Sequence, residues 1–452
     1  MDRKFKVHHF ENGFKLLTLP IKKGKDNLLY ICMDILCGSD LENSKNLEHG
    51  HFLEHLNGFF TSSKYPDGKK NELLINNLGI STNASVTSTI TSYWMNGLSK
   101  HKDFILDMIL NSYIDFKADN KIIKQERNAV VKELQQRKNN TWNSFYDLSN
   151  KVRYPGHYRR ENLVKYTKRI KSTKKATSEQ LLSFRQQNYS FDRSMFTLVG
   201  DFGSTRQVIK LISKMLNTKL VKKPKKLSLF KELFPSIHPP PTTQRTMIHF
   251  DLNKNVKTTK VMLTFKMPLD AFSTEKFKLN MIGNLLTRGL GSILKRRLRS
   301  KMGLVYYVSS DEELAYDKAY SYFDISTEVD HEKVPIAVDA VLEEIRKLKK
   351  NLITKKQFKK IRNSVTYDFA KRKYTDKLSY WANTYFFKAI WNRKVIKIKN
   401  LKKIYMKVTR KQLKKMFNEC FHKKALKIIY SGHGKNLNKK ISKMKNLKRF
   451  DS

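Results

Sequence analysis

Three residues within five consecutive positions are of the types that hold and use a metal ion: His51, Glu54 and His55, in the run His51-Phe52-Leu53-Glu54-His55. On a helix, about 100° per residue sets His51 at 0°, Glu54 at about 300° and His55 at about 40°, so all three share an arc of about 100°. Imidazoles at i and i+4 can grip one Zn2+ from adjacent turns. Glu54 then sits beside the metal without having to bind it. There it can take a proton from a water that the metal has acidified. This is the inverted HxxEH arrangement. With the 12 His and 40 acidic residues of this 452-residue chain, chance supplies such a run at most about 0.03 times.

A catalytic zinc needs a third protein ligand and an open fourth position. The candidates lie in the segment Gln125 to Gln135, where Glu126 and Glu133 are seven positions apart. Two helical turns bring them to the same face. One can ligate while the other orients a ligand or the water from behind.

The elements that must position these groups follow from the rest of the chain. The run His8 to Leu17 reads as strand–turn–strand, and Leu28–Leu36 and Lys260–Met267 read as buried strands. Phe196 to Gly200 and Lys427 to Gly432 are apolar strands that meet glycine. Five of the ten prolines fall between residues 221 and 245, which marks the main boundary. The expected organisation is an N-terminal metal-binding domain over residues 1–222, a Pro/Lys-rich linker over 223–245, a second domain over 246–434, and a mobile basic tail over 435–452. Each half runs from strands into helices and back to a strand. That pattern suggests an internal duplication and an α+β class, with antiparallel sheets and helices packed on one face.

Composition bounds the remaining possibilities. At 40% hydrophobic and 11% aromatic, the chain can bury sizeable cores. Its formal charge of +51 comes from 91 Lys and Arg against 40 Asp and Glu. The lysines are spread along the whole chain, whereas a nucleic-acid domain gathers them into a patch. Three cysteines, Cys32, Cys37 and Cys420, exclude a disulfide framework and fit a reducing compartment. The uncharged stretch Leu73–Ser99 is rich in Ser, Thr and Asn and alternates, so it is no membrane helix, and no membrane span is expected. Gly289-x-Gly291 lacks the further glycine or Gly-Lys-Ser/Thr of a phosphate loop.

Several of these pieces, in their order, resemble the pitrilysin or insulinase type of zinc peptidases, in the short branch that includes the mitochondrial processing peptidase. Cys37-Gly38-Ser39-Asp40-Leu41-Glu42 resembles the segment that precedes the family's zinc helix, and His51 to His55 matches its inverted motif. Lys64-Tyr65-Pro66, then Gly79, Asn83-Ala84, Thr91 and Tyr93, are similar to the pieces that follow. Glu126 and Glu133 match the family's paired glutamates. In the second half, Gly289 to Ser292 and Leu298 to Tyr306 resemble another of its motifs. Three departures are visible: Glu133 stands 78 positions after His55, slightly farther than is usual in the family, which keeps Glu126, at 71, as a rival ligand; Glu48 stands where the family usually has glycine, and Ser300 where it has an acid.

The resemblance implies two homologous α+β domains, the first carrying zinc and the second without the metal motif. It implies His51, His55 and Glu133 as ligands of one Zn2+ per chain, with Glu54 as the base and Glu126 as a further catalytic-site residue paired with Glu133. A peptide would lie as an added strand beside Asn83-Ala84. Arg299 and Tyr306 would hold the scissile carbonyl oxygen as it becomes negative. The expected activity is that of a zinc endopeptidase acting on peptides or unfolded segments, with a processing role among the candidates. The length fits a homodimer, or a heterodimer with a related subunit. The rival readings are a catalytically silent partner on the same fold and a nucleic-acid-binding protein. No signal or transit peptide is visible at the N-terminus, and a cytoplasmic or virion location is expected.

Overall fold

The computed structural model describes residues 5–21, 27–153, 166–221, 247–250, 257–315, 321–374, 398–431 and 437–450, with positions 378, 379, 382, 383 and 386. The linker expected over 223–245 lies outside the described residues. The chain forms two compact units. One comprises Met1–Asn139, Glu161–Pro235 and Asp376–Val395, the other Asn140–Arg160, Ser236–Thr375 and Ile396–Ser452.

The first unit is built on strands β1 (Lys6–Phe10), β2 (Lys15–Pro20), β3 (Leu28–Ile35), β4 (Ser81–Val86), β5 (Thr91–Leu98), β6 (Ser194–Gly200) and β7 (Leu220–Val221). Their order across the sheet is β4-β5-β3-β6-β2-β1-β7. β3 shows why: alternate residues Leu29, Ile31, Met33 and Ile35 point into one apolar core, as the two-residue period of a strand requires. Gly200 closes β6 with φ +123, and a Cβ there would run into the carbonyl oxygen of Leu28. Only glycine fits that approach.

The helices that matter for the site pack on this core. They are α1 (His49–Asn57), α2 (Gly68–Asn77), α3 (Lys102–Ile114) and α4 (Asn120–Asn139). Phe52, Leu53 and Leu56 of α1 and Ile123, Val130 and Leu134 of α4 enter the same core. These apolar stripes at helical spacing fix the rotation of both helices. The uncharged stretch Leu73–Ser99 becomes the end of α2 followed by the hairpin β4–β5.

The second unit repeats the plan with β8 (Met247–Phe250), β9 (Thr258–Met267), β10 (Val305–Glu313), β11 (Ser321–Asp330) and β12 (Leu426–Ser431), ordered β10-β11-β9-β12-β8. That is the order β4-β5-β3-β6-β2 of the first sheet with each strand advanced by six. The shared topology is the structural form of the duplication read from the sequence. Both sheets are antiparallel except at one equivalent place: β2 runs parallel to β6, and β8 parallel to β12. Val261, Leu263, Phe265 and Met267 of β9 bury against the helices Lys276–Thr287 and Val334–Lys350.

Two features go beyond the sequence reading. Helix α5 (Thr141–Arg153) follows α4 directly but belongs to the second unit. Its Phe145 packs on Met262 and Ile429, the opposite side of β9 from the main core, so helices cover both faces there. Arg153 pairs with the buried Asp324, and the indole Nε1–H of Trp142 donates to Glu328 at 3.0 Å. The second is a correction. The tail expected to be mobile forms two short helices, Leu437–Ser442 and Lys445–Lys448. Ile441, Met444, Leu447 and Phe450 recur every third residue and are buried in the second core. The lysines between them face outward and mask the period.

Candidate metal centre

The site begins with the entry to α1. Both oxygens of the buried Glu42 carboxylate accept backbone N–H bonds, from Glu48 and from Gly50, each 2.9 Å. These are donors that a helix start leaves without an internal partner. Glu48 itself is left-handed, with φ +67. That conformation costs a non-glycine residue about 1–2 kcal/mol, and its side chain shows what is gained. The Nδ1–H of His51 donates to Glu48 Oε2 at 3.0 Å, and Arg169 donates to Glu48 Oε1. Arg169 comes from α6 (Tyr166–Lys175), which packs against α4.

One turn on, the Nδ1–H of His55 donates to Glu126 Oε2 at 3.0 Å. With both Nδ1 atoms held, both Nε2 atoms are directed to one place, where a metal would take the position of a proton. Glu133 stands there. Its Oε2 is 3.4 Å from His51 Nε2 and 3.5 Å from His55 Nε2. The three donor atoms all lie within 4.8 Å of one another. Two ligands about 2.1 Å from a tetrahedral zinc are themselves about 3.4 Å apart, a spacing that both Glu133–imidazole separations match. The other Glu133 oxygen pairs with Arg137.

Glu54 Oε2 is 3.9 Å from His51 Nε2, beside the donor set and outside it. Burial raises its pKa above the ordinary carboxylate value. For His51, burial alone would lower the pKa. The bonds to Glu133 and Glu48 outweigh it and carry the imidazole up to about 9. The bond to His51 is also the main reason Glu133 is held down at about 2. Four carboxylates around two imidazoles make a site that favours an added positive charge.

The remaining sequence candidates are placed as follows. Asn83 and Ala84 lie on β4, the last strand of the first sheet. Among the described residues β4 pairs only with β5, and α1 packs against it. Asn83 is exposed and Ala84 half-buried. Arg299 and Tyr306 belong to the second unit, where the guanidinium lies over the ring at 5.0 Å from its centre and the ring is 81% exposed. Cys37 is fully buried, and burial pushes its thiol up to about 12, which suits the absence of a nucleophilic role. Glu48 and Arg169 are the participants that sequence reasoning missed. The signal for Glu48 was an acid standing in a glycine position.

Residues 21–156 match the family described as "Insulinase (Peptidase family M16)", and residues 175–365 match "Peptidase M16 inactive domain". The chain is 25% identical over 215 residues to the mitochondrial-processing peptidase subunit beta of Dictyostelium discoideum, covering 48% of this chain and 44% of that one. It is 23% identical over 260 residues to the "Uncharacterized zinc protease YmxG" of Bacillus subtilis, covering 58% and 59%. The matched region thus spans about half the length of these curated relatives. A protease from Helicobacter pylori has the same fold, with a TM-score of 0.74, 19% identity, and coverage of 95% of this chain and 100% of that one. Both halves match one family, and the chain belongs to the M16 (insulinase/pitrilysin) peptidases.

Proposed function

We propose that this chain is a zinc-dependent endopeptidase that cleaves peptides or unfolded segments of proteins. The observation that carries the reading is the pair of near-equal separations, 3.4 and 3.5 Å, from Glu133 to the two imidazole Nε2 atoms, with the Glu54 carboxylate alongside. His51, His55 and Glu133 would hold one Zn2+. When bound, zinc acidifies a water and polarises a peptide carbonyl. Glu54, beside the donor set, would take a proton from the attacking water and return it to the leaving amine. Glu48 and Glu126 keep both imidazoles in the tautomer that presents Nε2. The edge of β4, unpaired among the described residues, would supply main-chain donors and acceptors to an extended peptide near Asn83 and Ala84, which tolerates varied side chains. The oxygen-holding roles of Arg299 and Tyr306 are part of the same proposal.

A homodimer, or a pairing with a related chain, also belongs to this reading. It is supported by the name of the Dictyostelium relative, which makes that protein one subunit of a larger assembly. Among the described residues no helix is long and apolar enough to cross a membrane. The three cysteines are free and buried, which supports a reducing setting such as the cytoplasm or a virion interior.

The test is metal content by mass spectrometry on protein purified without added zinc, for wild type and His55→Ala, together with cleavage of an unfolded protein substrate. One zinc per chain and cleavage in wild type, both lost in the variant, is the expected result. Folded wild type that neither retains zinc nor takes it up would overturn the proposal.

A further inference from the structure

A cavity of about 790 Å3 opens in the first unit between the loop that leads into α1 and helix α6. Its size is that of a small-molecule site. Four exposed lysines line it: Lys45 from the loop, and Lys168, Lys171 and Lys175 from α6. Positions 168, 171 and 175 share one helix face, where like charges repel. Among the described residues none of these four side chains has an ion-pair partner. The carboxylate on the wall, Glu42, makes no ion pair with them, and its oxygens accept from the backbone at the start of α1. The arrangement is a concave cluster of lysines that, among the described residues, make no ion pair.

The same helix reaches the metal centre. Arg169, next to Lys168, pairs with Glu48, and Glu48 holds Nδ1 of His51. A ligand that draws the lysines of α6 together acts on a helix one ion pair away from a metal-site histidine.

We propose that this cavity binds a soluble anion carrying several linked phosphates, and that its occupancy is felt at the start of α1 through Arg169 and Glu48. Lysine ammoniums are point-charge partners for phosphate oxygens. Four of them on two segments match a chain of phosphates better than a single one. The phosphate chain can come from a nucleoside triphosphate or from inorganic triphosphate.

The net charge of +51 makes a charge-matched control necessary, and the second unit supplies one. Lys411 and Lys415 line a smaller cavity of about 510 Å3 there. The full chain is titrated with sodium tripolyphosphate, ATP and orthophosphate by calorimetry, at about 0.15 M salt so that diffuse attraction is screened. Tripolyphosphate is expected to bind one per chain, and orthophosphate about tenfold more weakly or worse. Lys171→Glu with Lys175→Glu weakens tripolyphosphate by about tenfold or more, and Lys411→Glu with Lys415→Glu by less than about twofold. ATP binding as tightly as tripolyphosphate assigns recognition to the phosphates alone, and tighter ATP binding names the nucleotide as the source. Equal loss in the two double variants, or several anions per chain, overturns the proposal.

Hydrogen exchange reads the second part. Tripolyphosphate slows exchange in α6 and in residues 47–51 of wild type, and in neither segment of the Lys171→Glu/Lys175→Glu variant. Removal of a metal by the anion would act on both proteins alike, and that outcome overturns the link to α1. The binding measurement needs no peptidase activity, so it stands or falls apart from the proposed reaction.

Discussion

Glu126 holds His55: the carboxylate Oε2 lies 3.0 Å from the imidazole Nδ1, while Nε2 of the same ring faces Glu133 Oε2 at 3.5 Å. The two glutamates of α4 therefore divide the work. One fixes the ring and the other completes the donor set. Removing them should have graded effects. Glu126→Gln keeps an acceptor but loses the charge, and the loss of such a supporting partner lowers metal affinity by about 10- to 100-fold. Glu133→Gln replaces a carboxylate of the candidate ligand set and should cost more than that. Competition against a chromophoric chelator measures both. Equal losses would mean that the two carboxylates are interchangeable, contrary to the geometry.

Glu54 is separable from the metal. Its Oε2 is 3.9 Å from His51 Nε2, and it contributes no atom to the candidate ligand set. Glu54→Gln should therefore retain zinc at the wild-type level while turnover falls by about 10²–10⁴, the usual worth of a positioned acid–base group. Zinc content and peptide cleavage on the same preparation check this. Loss of zinc in the variant would place Glu54 among the ligands.

Glu48 is a prediction about backbone and site together. Its φ of +67 favours glycine, yet its carboxylate is hydrogen-bonded to His51 and Arg169. Glu48→Gly relieves the backbone and removes the support of His51. The variant should fold, because the relief offsets part of the lost pairing, and should bind zinc about tenfold more weakly or worse. Glu48→Gln, which keeps an acceptor for Nδ1, should fall between it and wild type. Chelator competition with a thermal melt of each variant decides it. Unchanged zinc affinity in Glu48→Gly would show that His51 needs no such support.

These relationships differ in how far the sequence revealed them. The HxxEH run was legible because one helix turn fixes its geometry, whatever surrounds it. The pairing of Glu126 with Glu133 was legible as a shared face, but their division of labour depends on how α4 rotates against α1. That rotation is set by Ile123, Val130 and Leu134 in a core whose other members lie far along the chain. Glu48 read as a departure from a pattern, since a left-handed residue and its Arg169 partner 121 positions away are invisible locally. The duplication was legible from repeated strands. The placement of α5 was not, because Phe145 meets Met262 and Ile429 through contacts no local pattern encodes. The buried tail was misread because lysine density hid a three-residue apolar period.

Asp34 gives a prediction on stability rather than chemistry. It sits in β3 on the face opposite the Leu29–Ile35 core residues, accepting from Ser92 Oγ at 2.6 Å and Cys32 Sγ at 3.3 Å. Burial raises its pKa from 3.8 to about 6. The folded state thus holds the proton more tightly than the unfolded chain, so stability falls as pH rises from about 4 through about 6. About two pH units at 1.36 kcal/mol each set an upper bound of about 3 kcal/mol for this cost at neutral pH. Asp34→Asn keeps an acceptor oxygen and has no proton to lose. Its stability relative to wild type should be lowest near pH 4 and should grow by about 1–3 kcal/mol by pH 7. Urea denaturation of both proteins across that range measures the difference, in which every other titrating group cancels. A difference that stays flat with pH would mean that Asp34 ionises in the folded protein as easily as in the unfolded one.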